Sequence, residues 1–217
     1  MIDLKLGGKK DVPKVFLFIG AHCDDIEIGC GGTILRLIRE FPRATVHWVV
    51  CSSSETRAAE AKRSADLFLA NVSHKAVTIK DFRNGYFPYV GAQIKDYFEE
   101  LKKTVKPDVI FTHYGLDNHQ DHRVLSELTW NTFRDHFILE YEIPKYDGGL
   151  GSPNVFFPLP PDECRKKADI LLECFASEHS KHWFTKDTFM GLMRLRGIEC
   201  NAPSGYAEAF YCRKAIL

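Results

Sequence analysis

The sequence predicts an α/β protein: a doubly wound, mostly parallel sheet in three layers, with an irregular C-terminal third. Three observations carry that expectation. Apolar runs of strand length alternate with segments of helical spacing through most of the chain, the signature of βαβ units. The run over residues 14–20 is apolar on both faces, as a strand at the centre of a parallel sheet must be. Two stretches dense in His and Asp, about ninety residues apart, each follow an apolar run, where open sheets of this class bind ligands.

Taken in order, residues 1–13 are polar and glycine-bearing, a lead-in expected to be poorly ordered. Residues 14–20 form the first strand, and a turn rich in His, Asp and Gly follows. Ile34, Leu35, Leu37, Ile38 and Phe41 then recur at helical spacing over 33–41, until Pro42 stops them. Residues 44–51 read as a second strand. Residues 56–70 read as a helix with Ala58, Ala61, Ala65 and Leu69 on one face. A short strand over 76–79, an Asn84-Gly85 turn, a helix over 91–105 and a fourth strand over 108–112 come next. A helix over about 122–135 and a strand over 137–143 follow. A Gly- and Pro-rich connection over 144–153 leads to a strand-like piece at 155–157, helical segments at 161–176 and 185–196, and a last strand at 206–212. No repeat or linker composition interrupts the 217 residues, so a single domain is expected.

Bulk composition narrows the function. An apolar content of 45% can supply a sizeable core. Lys plus Arg, 29, equals Asp plus Glu, 29, which argues against a nucleic-acid or anionic-membrane binder and leaves room for a small-molecule substrate. No apolar run approaches the roughly 18–20 residues of a spanning helix, and the first residues lack the apolar segment of a secretory signal. Seven cysteines without CxxC spacing point to reduced thiols and a cytoplasmic location. A homo-oligomer is compatible with this composition.

The chemistry lies in the two acidic-imidazole stretches. The first, residues 21–33, presents His22, Asp24 and Asp25 before Gly29, Gly31 and Gly32; the second, residues 113–122, holds His113, Asp117, His119, Asp121 and His122. An isolated Asp-Asp pair after a strand is ordinarily a helix cap, and an isolated His-x-x-His is ordinarily packing. Two such clusters at neighbouring strand ends would instead share one pocket. His22, Asp25 and His122 offer two imidazoles and one carboxylate, a set suited to catalytic zinc, although another divalent ion is admissible. Asp24 is then free to act as general base on the bound water, and His119 to protonate a leaving amine or stabilise an oxyanion. Asp121 suits the task of accepting an N–H from one of these histidines. His113 and Asp117 are open to that role or to substrate contact. Arg57 can hold an anionic or acyl oxygen or lie on a helix surface. Polar and aromatic residues after the fifth strand, among them Glu142 and Tyr146, are candidates for contacts to sugar hydroxyls and ring faces.

Ala21-His22-Cys23-Asp24-Asp25-Ile26-Glu27-Ile28-Gly29-Cys30-Gly31-Gly32-Thr33 resembles the Ala-His-Pro-Asp-Asp-x-Glu-x-Gly-x-Gly-Gly-Thr signature of the PIG-L/LmbE-like zinc N-deacetylases. Asp117-Asn118-His119-Gln120-Asp121-His122 resembles the family's Asp-x-His-x-Asp-His motif. Arg57-Ala58-Ala59-Glu60 is similar to its Arg-x-x-Glu helix, and Tyr206-Ala207-Glu208-Ala209-Phe210 to its Tyr-x-Glu-x-Phe segment. The resemblance implies a Rossmann-like fold and removal of acetyl groups from amino sugars and their conjugates. It implies zinc on His22, Asp25 and His122, Asp24 as base, His119 as proton donor or oxyanion partner, and Asp121 as the residue orienting a histidine. Two departures stand out. Cys23 replaces the family proline, and residues 52–56 are shorter than the family loop that borders the pocket.

Overall fold

The structure, a computed structural model, describes residue 6 and residues 13–216. The expected lead-in over residues 1–13 therefore lies, Leu6 and Pro13 apart, outside the described residues. Strands and helices alternate as the spacing predicts: β1 (Val15–Gly20), α1 (Asp25–Glu40), β2 (Thr45–Val50), α2 (Glu55–Phe68), β3 (His74–Ile79), α3 (Phe87–Thr104), β4 (Val109–His113), α4 (Gln120–Thr132) and β5 (Phe137–Tyr141). The last third adds β6 (Val155–Pro158), α5 (Pro161–Cys174), α6 (Lys186–Glu199) and β7 (Ala207–Tyr211).

The seven strands make one sheet in the order β3-β2-β1-β4-β5-β7-β6. The first five are parallel, and β7 runs antiparallel to both β5 and β6. Alternation along β1 explains the three layers. Phe16 and Phe18 face a core shared with α1, α2, α5 and α6, whereas Leu17 and Ile19 face a second core built with α3 and α4. The first core is aromatic at its centre, with Phe18 stacked on Phe111 at 4.7 Å between ring centroids. Both are fully buried, and each such side chain contributes about 1.5–3 kcal/mol by leaving water.

Strand order reverses between β1 and β4, which pair directly. At such a reversal the loops leaving the two strands diverge to opposite faces and open a crevice at the carboxyl ends. Both acidic-imidazole stretches leave the sheet at this point.

One element differs from expectation. The glycine cluster does not precede the first helix but lies inside it, because α1 starts at Asp25 and breaks at Cys30 (φ −146°, ψ 19°). The glycines are there for close packing. A Cβ on Gly29 would stand 2.2 Å from the Tyr141 ring, and one on Gly32 would stand 2.4 Å from Leu159. Among the described residues no helix is long and apolar enough to cross a membrane.

Candidate functional site

Parallel pairing of β1 with β4 brings His22 and Asp25 against His122. His22 Nδ1 lies 3.2 Å from His122 Nε2 and 3.3 Å from Asp25 Oδ2, and the third side of the triangle, Asp25 Oδ2 to His122 Nε2, is 3.5 Å. Three donors bonded at 2.0–2.1 Å to a tetrahedral centre stand about 3.3–3.4 Å apart, so the three atoms have the spacing of ligands to one divalent ion, although Asp25 Oδ2 also accepts the His22 backbone N–H at 2.6 Å. Two overlapping groups of three candidate ligands share His122: His22 with His119, and Asp25 with His113. Neither includes Cys23, which is buried with its thiol donating to the Ser52 carbonyl at 3.5 Å and pushed up to about 12 by burial.

Each imidazole of the triangle is backed by a carboxylate. Asp117 Oδ2 takes the Nδ1 side of His122 at 3.0 Å, which leaves Nε2 for a ligand. Asp121 Oδ2 lies 3.2 Å from His22 Nε2, which leaves Nδ1. Asp121 is itself fixed by the N–H groups of Gly85 (2.6 Å) and Phe87 (3.1 Å) at the start of α3. Gly85 reaches that bond at φ +78°, a conformation that favours glycine. Lys145 Nζ donates to the same Asp117 oxygen at 2.6 Å, and despite burial His122 and Lys145 hold Asp117 well below the usual carboxylate range.

Electrostatics separate the two rings. Burial disfavours charge on His22, but Asp25, Asp121 and Asp24 outweigh it and push the pKa up to about 10. Burial, reinforced by His113, drops His122 to about 3. Without a cation, this pocket of carboxylates keeps a proton on His22 in its place.

Asp24 is the helix-capping residue of α1 and makes no side-chain cap bond. Its Oδ1 instead accepts from Arg57 Nη2 at 2.9 Å. Burial raises Asp24 to about 6, and Arg57 limits the rise. Arg57 also pairs with Glu178, a buried carboxylate in the short turn over Ala176–Glu178. Glu60, one turn along α2, accepts from the backbone and hydroxyl of Ser177. His119 caps α4, its Nδ1 accepting the Asp121 N–H at 3.2 Å, and burial with the neighbouring His22 lowers its pKa. The neutral ring therefore carries its proton on Nε2.

These groups line a cavity of about 440 Å³ that also includes Ser52–Ser54, Phe82, Lys145, Tyr146, Lys181 and Trp183. Of the residues expected to meet substrate, Arg57 and Tyr146 are on its wall. Tyr146 is 65% exposed, with its hydroxyl 3.0 Å from His182 Nδ1. Glu142 is not on that wall. Its carboxylate is buried and held by both Arg196 Nε (2.7 Å) and Nη2 (2.6 Å), so the structure does not bring it to the site. Glu178 and Trp183 carry no sequence signal: Glu178 reaches Arg57 of α2 from 121 residues on, and Trp183 joins the wall from the irregular last third.

Comparison with known proteins bears directly on this arrangement. A family model described as "PIG-L: GlcNAc-PI de-N-acetylase" matches residues 17–133, just over half of the chain. The chain belongs to the PIG-L family. The matched PIG-L span runs from β1 through α4 and so contains both triangle-bearing stretches and Arg57, and it ends before β5. A curated relative, "Uncharacterized deacetylase YaiS" of Escherichia coli K12, is 25% identical over 151 residues, 66% of this PIG-L chain and 82% of that protein. An N,N'-diacetylchitobiose deacetylase from Pyrococcus horikoshii superposes with a TM-score of 0.69 at 21% identity, over 92% of this chain and 83% of the other. GalB, a 4-carboxy-2-hydroxymuconate hydratase from Pseudomonas putida KT2440, also superposes with a TM-score of 0.69, at 16% identity, over 94% and 98% of the two chains. Structural likeness at these identities establishes the shared fold, and that fold carries more than one chemistry.

Proposed function

We propose that the chain is a zinc-dependent N-deacetylase that hydrolyses the acetamide of an amino sugar or sugar conjugate to acetate and a free amine. The observation that carries this reading is the His22–Asp25–His122 triangle, sized for a tetrahedral ion, with Asp24 beside it on the wall of a sugar-sized cavity. A donor set of two imidazoles and a carboxylate is one that hydrolytic zinc sites use. The de-N-acetylase family and the fold shared with a diacetylchitobiose deacetylase support the substrate class. Seven free cysteines, six of them buried, support a reducing compartment such as the cytoplasm.

When bound, the ion supplies a positive charge that polarises the amide carbonyl and acidifies a water. Asp24 takes that water's proton. Arg57 fixes Oδ1, so that Oδ2 is left to accept. His119 donates from Nε2 to the carbonyl oxygen as negative charge develops there. The proton held by Asp24 then passes to the departing amine nitrogen. Asp117 and Asp121 keep the lone pairs of His122 and His22 turned to the ion.

The test is to incubate zinc-loaded protein with N-acetylated amino sugars and sugar conjugates while measuring acetate and primary amine together. Equal release of both, abolished by chelation and restored by metal, is expected. Metal-dependent hydration of an unsaturated acid with no amine released from any acetamide would overturn the deacetylase reading, and would align the chain with the hydratase that shares its fold.

A further inference from the structure

The first helix is broken at Cys30, just after the turn that carries Asp25. Asp25 sits in the first turn of α1, and that turn is closed by the Ile28 N–H donating to the Asp24 carbonyl at 3.0 Å. Two residues beyond, at Cys30, the backbone leaves helical angles. Two buried charges from the far end of the chain meet the groups around the break. Lys167 Nζ, from α5, donates to the Ile28 carbonyl at 2.6 Å. Glu208, from β7, accepts from the Gly32 N–H at 2.9 Å and the Thr33 N–H at 2.6 Å. The two charges also pair with each other at 2.6 Å, each only 3% exposed in its side chain.

A buried ion pair is costly to desolvate and is weak evidence for stability by itself. This one does what an apolar pair of the same size would not. It offers an acceptor to the donors after the break and a donor to the carbonyl before it, so it stands in for the helix's own ladder. The metal-facing turn is thereby held at an angle to the rest of α1. Glycine at 29 and 32 lets Tyr141 and Leu159 approach from the sides, so the turn cannot relax by straightening without collision.

The geometry points to Lys167 and Glu208 as positioning residues that set the angle of the Asp24–Ile28 turn, and with it the placing of Asp25 against His22 and His122. The inference rests on the metal-site reading above. Neither residue touches the cavity that contains the triangle. A second buried carboxylate–cation pair supplies the control: Glu142–Arg196 is of similar burial but makes no bond to α1, Arg196 pairing also with Glu199.

The experiment compares zinc dissociation constants, measured by chelator competition, for the unmodified chain, Glu208→Gln and Glu142→Gln, with thermal unfolding followed on the same samples. Both variants should lose stability, and only Glu208→Gln should bind zinc more weakly, by about tenfold or more, as for a residue that orients a ligand. Lys167→Met, which frees the Ile28 carbonyl but leaves the Glu208 bonds in place, should show a loss in the same direction. It supplies the answer if Glu208→Gln does not accumulate as folded protein. Equal zinc affinity in the α1-side variant and the control would overturn the inference. Absence of stoichiometric zinc in the unmodified chain would instead overturn the metal-site reading on which it rests.

Discussion

The parallel and antiparallel parts of the sheet do different work. β3, β2, β1, β4 and β5 hand their carboxyl-end loops to the cavity, and the loops after β1 and β4, with the first turns of the helices they lead into, carry His22, Asp24, Asp25, Asp117, His119, Asp121 and His122. The edge formed by β7 and β6, with α5 and α6, contributes no member of the triangle. It contributes buried counter-charges instead: Glu208 and Lys167 at the α1 break, Arg196 on Glu142, and, from the turn after α5, Glu178 on Arg57. Chemistry and its alignment are thus coded in separate stretches of one chain. The first is compact in sequence, and the second is scattered.

The largest effect that would sharpen this contrast lies on the parallel side. Asp24→Asn keeps the volume and the bond to Arg57 possible but cannot accept the water's proton. Steady-state kinetics should show kcat reduced about 10³-fold with zinc content unchanged. Full activity would remove Asp24 as base. His119→Gln should lower kcat about 10²-fold while leaving zinc content intact, since its task is an oxyanion contact. Loss of zinc from this variant would instead make His119 a ligand.

Asp117→Asn tests the carboxylate behind His122. Zinc affinity by chelator competition should fall between about 10- and 100-fold, with folding preserved.

Acidity offers a gentler perturbation. In the metal-free chain His22 holds its proton up to about pH 10, so a cation must displace it. Raising the pH leaves fewer protons to displace, and zinc binding should tighten by up to about tenfold per pH unit between pH 6 and 8, with one proton released by calorimetry in two buffers. The linked stability has the same sign. A raised His pKa stabilises the metal-free fold fully below about 6.5, and the contribution fades as pH climbs toward 10.

The smallest effect on the site should come from the antiparallel side. Glu142→Gln removes one of the two carboxylates on Arg196, Glu199 remaining as the other, and should cost about 1–3 kcal/mol in denaturant unfolding, with zinc affinity changed less than twofold. A large loss of zinc here would erase the distinction between the two pairs.

The same division explains what could be read before any coordinates. The order of strands and helices, and the convergence of the two acidic-imidazole stretches, follow from local patterns: an apolar run, then His and Asp within four residues, repeated at β4. Parallel pairing of the two runs was the one long-range assumption, and the register of β1 on β4 satisfies it. The start of α1 was misplaced because three glycines read as a turn, whereas Tyr141 and Leu159 fill the space their side chains would take. Position after β5 makes Glu142 a candidate for substrate contact, but Arg196, 54 residues on, claims its carboxylate instead. Glu178 had no legible role at all, because a glutamate in a short turn gains meaning only when Arg57 is folded against it.

The contact between residue 29 and the ring of Tyr141 carries one more implication. That ring also donates its hydroxyl to the Ile19 carbonyl at 2.7 Å, so it is pinned at both ends and cannot swing aside. The two positions are therefore one steric unit across helix and strand: any side chain at 29 demands a smaller partner at 141. A redesign of this floor must change both residues in a single step, and substitutions tolerated at either place should track each other among chains sharing the scaffold.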